Sequence, residues 1–155
     1  GPGQLVAYPI FSLGKSGIGV LAFVERLETV MIQVLKDYGI KGERNERNRG
    51  VWVGNKKIGF VGIAVQKGIS FHGLALNVSP DLGFFQMIHP CGLKEVHITS
   101  MNDLLEKTVS LAKIKTRVVF HFQKIFDMTL NQVKPNDLRA RLPETRPILK
   151  SGHDE

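Results

Sequence analysis

Residues 57–78 read Lys57-Ile58-Gly59-Phe60-Val61-Gly62-Ile63-Ala64-Val65-Gln66-Lys67-Gly68-Ile69-Ser70-Phe71-His72-Gly73-Leu74-Ala75-Leu76-Asn77-Val78, and this stretch decides the fold. Two runs rich in Val, Ile, Leu and Phe, 57–65 and 70–78, flank a short polar segment that contains Gly68. Such runs around a glycine-bearing turn are typical of neighbouring antiparallel strands. A similar run, 50–54, comes just before them, so we predict a three-stranded meander.

Helical patterns surround the predicted meander. Residues 4–11 read as a further strand, and a long amphipathic helix then ends at Gly39, with apolar residues at helical spacing. These residues are Val20, Phe23, Val24, Leu27, Met31, Val34, Leu35 and Tyr38. Two more helices are predicted over 103–111 and 114–126. Strands and helices in this order predict an α/β (α+β) domain, a mixed sheet with packed helices.

Three segments lie outside this regular pattern. Residues 41–49 read as a charged loop with no apolar anchor. Ser79-Pro80-Asp81 is typical of a helix start, and that helix must end before Pro90. From Lys134 the chain is rich in Pro and Arg, so we predict a poorly ordered end. The predicted organisation is one folded domain, 1–128, followed by a basic, Pro-containing tail, 129–155.

Composition narrows the class of protein. The chain has 155 residues, 43% of them hydrophobic, and a net charge of +7. Its basic residues form neither a recognition helix nor an aromatic RNA-binding strand, so we expect an acidic protein partner and no nucleic acid. No apolar run reaches the ~18 residues that span a bilayer, so we expect no membrane contact. We also expect a cytoplasmic protein and a monomer. The chain begins without Met, so an organellar targeting signal could precede it.

Cys91 is the single cysteine, and it follows Pro90 on a predicted turn. A single cysteine excludes an internal disulfide, and the five histidines lack metal-ligand spacing, so we predict no metal. An ammonium near a thiol favours the nucleophilic thiolate, and Lys57 on the neighbouring strand could supply it. The alternative readings are a small buried apolar Cys91 and a solvated Lys57 in a turn.

The alternation of side chains along a strand predicts the face on which Lys57 lies. It predicts that Lys57 shares a face with Gly59 and Val61, opposite Phe60. Two small or modest side chains would then leave space beside the cation. His72, next to Gly73, is a possible supporting group, and a structural role for it is equally consistent with the sequence.

Several ordered segments together resemble the lipoyl(octanoyl) transferases. The resemblance runs from residue 1 to about residue 99 and continues weakly through the later helices. The matching segments are Gly1-Pro2-Gly3-Gln4-Leu5-Val6-Ala7-Tyr8-Pro9, Gly50-Val51-Trp52-Val53, Lys57-Ile58, Gly62-Ile63, Ser70-Phe71-His72-Gly73-Leu74-Ala75-Leu76-Asn77-Val78, Asp81-Leu82 and Pro90-Cys91-Gly92.

The resemblance implies the fold of the lipoate and biotin protein ligase catalytic domains. It implies that Cys91 accepts octanoyl from the phosphopantetheine of acyl carrier protein as a thioester, and that Lys57 lowers the thiol pKa and handles protons. The octanoyl group would then pass to a lysine of a lipoyl domain, in 2-oxoacid dehydrogenase complexes or the glycine cleavage H protein. No cofactor is implied.

The resemblance also implies the residues that bind the acyl chain. Gly73, Leu74 and Ala75 would line it. A segment three residues after the lysine falls on Phe60-Val61-Gly62, where Phe60 departs from the small residue usual in the family. Its ring could narrow the acyl tunnel or contribute an apolar wall.

A further departure is at the start, where the family's Arg-Gly-Gly segment, just ahead of Gly-Pro-Gly-Gln, is not in this sequence. The alternatives are therefore a non-catalytic fragment that binds lipoyl domains or carrier protein, and an ATP-dependent lipoate–protein ligase.

Overall fold

A computed structural model describes residues 1–45, 48–86 and 96–140. Within them, the strands are β1 (Gln4–Ala7), β2 (Glu43–Arg44), β3 (Val51–Val53), β4 (Lys56–Gln66), β5 (Ile69–Asn77) and β6 (His97–Ile98). The helices are α1 (Leu13–Ser16), α2 (Val20–Asp37), α3 (Gly83–Gln86), α4 (Met101–Leu105), α5 (Leu111–Phe126) and α6 (Pro135–Ala140).

The predicted meander is present, because β3, β4 and β5 are consecutive antiparallel neighbours. Their sheet has the strand order β1-β5-β4-β3-β2, and β6 pairs with β4 in parallel, which makes the sheet mixed. The predicted strand over 4–11 is shorter than expected. It ends at Ala7, where Pro9 removes a backbone donor just beyond it. The predicted α/β (α+β) architecture is confirmed.

Helix α2 covers one face of the sheet, which we call the back face. Its apolar stripe, with Phe23, Leu27 and Met31 fully buried, packs on the sheet and on α5. Phe126 of α5 closes the core by meeting the Phe23 ring edge to face, with centroids 5.6 Å apart. Burying large side chains of this kind stabilises each by ~1.5–3 kcal/mol relative to exposure.

The structure corrects two predicted helix boundaries. The helix expected from Ser79-Pro80-Asp81 begins at Gly83, because the Asp81 carboxylate accepts a hydrogen bond from the Gly83 N–H at 2.9 Å and forms a turn first. Its predicted end lies outside the described residues. The helix expected over 103–111 instead spans Met101–Leu105, capped at its start by the Ser100 hydroxyl. It stops at Glu106, whose backbone is left-handed (φ 50°).

Two predictions about irregular segments were wrong in part. Glu43 and Arg44 in the charged loop form β2 against β3, and Arg44 is anchored to the buried Glu28 by a 3.1 Å ion pair. The basic tail contains a helix, Pro135–Ala140, that begins with proline, the residue best suited to a first helical position.

A polar contact joins α2 to α5 at the edge of the core. The Asp37 carboxylate receives hydrogen bonds from Arg117 Nε and His121 Nε2, both at 2.7 Å. The hydrogen bond from Arg117 is the main cause that holds the pKa of Asp37 below its ordinary value, and His121 adds to it against the opposing effect of burial. His121 is thus a hydrogen-bonded structural residue.

Asp37→Asn is expected to lower the free energy of unfolding modestly at pH 7 and by less at acid pH. The folded-state pKa of Asp37 is depressed, so its contribution is present above the unfolded value and is lost as the pH falls through the folded value, which lies below 3.8. Urea unfolding of both proteins at several pH values measures the difference. An equal deficit at pH 7 and pH 3 would contradict the ion-pair account.

Candidate functional site

A register shift in β4 determines where Lys57 points. Val51 pairs with Gly59 but Trp52 pairs with Lys57, so Ile58 is an extra residue on its strand. An extra residue interrupts alternation and re-aims the side chains beside it. Lys57 therefore leaves the face of Gly59 and joins that of Phe60, and its Nζ lies 5.1 Å from the Phe60 ring centroid. The predicted opposition of Lys57 and Phe60 was wrong for this reason.

Lys57 is buried, with 2% of its surface exposed, whereas the adjacent Lys56 is exposed. This excludes the solvated-turn reading for Lys57. A buried ammonium needs compensating polar contacts. Lys57 Nζ donates to Asn48 Oδ1, and the faces of Trp52 (5.5 Å) and Phe60 flank it as cation–π partners. Lys57 is also fixed through its backbone, since its carbonyl accepts from Thr99 N–H at 3.0 Å.

The short segment 48–50 forms one wall of this lysine site. Gly50 has φ 121°, and a Cβ there would lie 2.3 Å from the Gly59 carbonyl oxygen and 2.8 Å from Lys57 Cε. Only glycine can bring the segment this close to the lysine stem. The Asn48 carbonyl in turn accepts from Trp52 Nε1 at 3.1 Å. The sequence analysis did not predict Asn48 or Trp52 as site residues. Asn48 falls in the predicted charged loop and Trp52 in a short apolar strand, and neither position marks a residue as functional.

Phe60, Gly62 and Ala75, three of the predicted acyl-binding residues, share the sheet face that points away from α2, which we call the front face. Phe60 pairs with Ala75, which pairs with Val6 of β1, so the three form a row across the sheet. Gly62 pairs with Gly73 in the ladder. Phe85 of α3 stacks parallel to Phe60, with ring centroids 6.2 Å apart. The front face thus offers an apolar surface beside Lys57, with the Phe60 ring nearest the ammonium.

Val61 and Leu74, a directly opposed pair, lie on the back face. Leu74 is 2% exposed and belongs to the core. It also lines an apolar cavity of about 340 Å³ between β1 and α5, together with residues such as Phe122. The structure therefore does not bring these two predicted residues to the same face as Lys57.

His72 is set apart from the lysine. It pairs with Ile63, three positions along the ladder from the Phe60–Ala75 pair, a distance of about 10 Å along the strand. It is exposed, with φ 61°, and its ring meets Tyr8 edge to face at 5.8 Å. These contacts lie farther along the ladder, away from Lys57.

Cys91 lies outside the described residues, as do 46–47, the rest of 87–95, and 141–155. Described residues on either side of 87–95 contact residues of the lysine site. On one side is Phe85, stacked on Phe60; on the other is His97–Ile98, which pairs with Lys56–Lys57.

Gly73→Ala is expected to destabilise the protein by ~1–3 kcal/mol, as overpacking does. A Cβ at Gly73 would lie 2.1 Å from the Ala7 carbonyl oxygen and 2.5 Å from Pro9 Cδ, so β1 would have to move. Gly62→Ala is the matched control, because nothing lies within 4 Å of a Cβ there. Urea unfolding of both variants checks this, and equal stabilities would contradict the close packing of β1 on Gly73.

Two general findings apply to residues 1–45, 48–86 and 96–140. No helix among them has the length and apolar character to cross a membrane. No three His, Cys, Asp or Glu side chains among them gather as metal ligands would. That no metal or cofactor is needed stays a prediction.

The sequence is similar to those of curated octanoyltransferases. It is 49% identical over 127 residues to the octanoyltransferase of Syntrophobacter fumaroxidans, a match that covers 82% of this chain and 56% of the relative. It is 40% identical over 154 residues to a probable octanoyltransferase of Pyrobaculum calidifontis, covering 98% of this chain and 66% of the relative. The chain thus spans a little over half to about two thirds of the length of these relatives.

Solved structures show the same fold at low sequence identity. The biotin protein ligase of Aquifex aeolicus superposes with a TM-score of 0.65 at 17% identity, over 81% of this chain and 53% of the other. A lipoate-protein ligase A bound with ATP gives a TM-score of 0.61 at 13% identity, over 88% of this chain and 56% of the other. The family model for the lipoyl protein ligase A/B catalytic domain matches residues 1–123. The chain therefore belongs to the lipoyl protein ligase A/B catalytic-domain family.

Proposed function

We propose that this chain transfers an octanoyl group from acyl carrier protein to a lysine of a lipoyl domain, through a thioester on Cys91. The names of the curated relatives support octanoyl transfer as the reaction. The carrier-bound donor, the lysine acceptor and the acyl-enzyme rest on the resemblance and on the chemistry of the site. The acceptors would be lipoyl domains of 2-oxoacid dehydrogenase complexes and the glycine cleavage H protein.

The observation that carries the proposal is the buried ammonium of Lys57 on the front face. The ammonium lies between the rings of Trp52 and Phe60. On one side of 87–95, Phe85 stacks on Phe60, and on the other side strand β6 pairs with Lys57. A cation in such a low-dielectric setting interacts strongly with a nearby anion. This supports a role for Lys57 in stabilising the Cys91 thiolate, while Phe60, Gly62 and Ala75 offer an apolar surface for an eight-carbon chain.

The reaction balances without a cofactor. The Cys91 thiolate attacks the carbonyl carbon of the octanoyl thioester, and the carrier thiol leaves with the bond to carbon broken. The acceptor lysine amine then attacks the acyl-enzyme, an amide bond forms and the Cys91 thiolate is released. In this scheme Lys57 gives a proton to the departing thiolate and takes one from the attacking amine. We expect no metal or nucleotide to be needed.

Intact-mass measurement after incubation with octanoyl carrier protein tests the proposal. We expect one octanoyl adduct, removed by hydroxylamine as a thioester is, and lost again on adding a lipoyl domain. ATP-dependent pyrophosphate exchange with free octanoate would instead indicate an adenylate-forming ligase. Tight binding of carrier or lipoyl domain with no adduct would indicate the non-catalytic alternative.

A further inference from the structure

Glu28 is a buried carboxylate that the proposed reaction does not use. It lies on α2 with 1% of its surface exposed, in an apolar stripe between Phe23 and Met31. A buried carboxylate without compensating contacts would be strongly destabilising. Its burial therefore requires polar contacts that offset the free-energy cost of desolvation.

Two of the three contacts that the structure shows for this carboxylate reach the wall of the lysine site at 48–50. Oε1 accepts from the Gly50 N–H at 2.8 Å, and Oε2 pairs with Arg44 Nε at 3.1 Å and Arg49 Nη1 at 3.7 Å. Arg44 is itself held to α2 by a hydrogen bond to the Glu25 carbonyl at 2.8 Å. Glu28 thus ties the segment that contains Asn48 to the long helix beneath the sheet.

We propose that Glu28 is a positioning residue for Lys57, acting through Gly50 and Asn48. The hydrogen bond to Glu28 fixes the position of Gly50, which contacts the lysine stem closely. It thereby also fixes the position of Asn48, two residues earlier, and Asn48 Oδ1 accepts a hydrogen bond from Lys57 Nζ. Rigid elements hold functional groups better than loops do, and Glu28 gives a loop residue the rigidity of α2. The importance of this positioning for catalysis rests on the proposed function, but the positioning itself does not.

Lysine acetylation tests the positioning without an activity assay. The intact protein is treated briefly with acetic anhydride, and mass spectrometry of its peptides compares Lys57 with exposed Lys56 as the internal reference. Glu28→Met is expected to raise the Lys57-to-Lys56 ratio about tenfold, the size of losing a charge-assisted hydrogen bond. Glu28→Gln, which keeps an acceptor for Gly50, should restore part of the protection. Glu25→Gln is the matched control. Glu25 lies one turn away and meets the wall through a half-exposed 3.9 Å ion pair with Arg49, and such pairs contribute little, so the ratio should change by less than twofold.

A second variant covers the case in which Glu28→Met does not fold. Asn48→Ala leaves Glu28 and Gly50 in place and should raise the same acetylation ratio. In the variant that combines Glu28→Met with Asn48→Ala, the ratio should be no more than twofold above that of either single variant. An unchanged ratio in folded Glu28→Met, or in Asn48→Ala, overturns the proposal. If both variants expose Lys57 while the native protein forms no octanoyl adduct with octanoyl carrier protein, the proposed function fails and the positioning by Glu28 stands.

Discussion

Cys91→Ala is expected to abolish the octanoyl adduct and reduce octanoyl transfer by at least ~10³-fold. The thiolate is the only group assigned to bond with the acyl carbon, and removing a nucleophile leaves only the contribution of binding and orientation. The change deletes one sulfur and should leave the free energy of unfolding nearly unchanged. Intact mass after incubation with octanoyl carrier protein and a rate assay with lipoyl domain measure the two effects.

Cys91→Ser is the informative companion variant. Its hydroxyl has nearly the shape of the thiol but is far less ionised at neutral pH, so it should form at most a trace of hydroxylamine-labile ester. A Cys91→Ala protein that transfers octanoyl at a near-native rate would make Cys91 structural and would reject the proposed mechanism.

Lys57→Met is expected to slow octanoyl transfer by ~10²–10⁴-fold, the usual contribution of a positioned proton-transfer group. It should also raise the pKa of the Cys91 thiol by ~1–3 units, because an opposite charge nearby favours the thiolate. Met keeps the length of the stem that packs on Gly50 and removes only the charge. The pH profile of Cys91 alkylation by iodoacetamide reports the thiol pKa directly.

Lys56→Met is the matched control for this prediction. Lys56 precedes Lys57 in β4 but is exposed, so its variant should have the native alkylation profile and the native transfer rate. Superimposable profiles for Lys57→Met and the native protein would mean that the ammonium does not act on the thiol.

The sheet was predictable from local patterns. The apolar runs of 57–65 and 70–78, divided around Gly68, specify two paired strands with little help from the rest of the chain. Helix α2 was predictable from its apolar spacing to within two residues of its observed end. Helix boundaries near Asp81 and Ser100 were missed because single side-chain hydrogen bonds to the backbone set them, and such bonds compete with regular structure.

The surroundings of the lysine were less predictable. Strict alternation gave the wrong face for Lys57, because the register shift at Ile58 depends on pairing with β3 and not on β4 alone. Glu28 did leave a signal, since it falls on the apolar stripe of α2, four residues after Val24 and three before Met31. An acidic residue at such a position is rarely buried without a partner, but the sequence does not show that its partners are Arg44 and Gly50.

The outer strands of the main sheet path limit how copies of this chain could associate. β1 has four residues and ends just before Pro9, and β2 has two residues, Glu43 and Arg44, both exposed. Short, charged or proline-bounded edges present few unpaired backbone groups for another strand to join. Extension of the sheet between copies is therefore disfavoured at both ends of this path, which supports the expectation of a monomer and protects an otherwise apolar front face from aggregation through its edges.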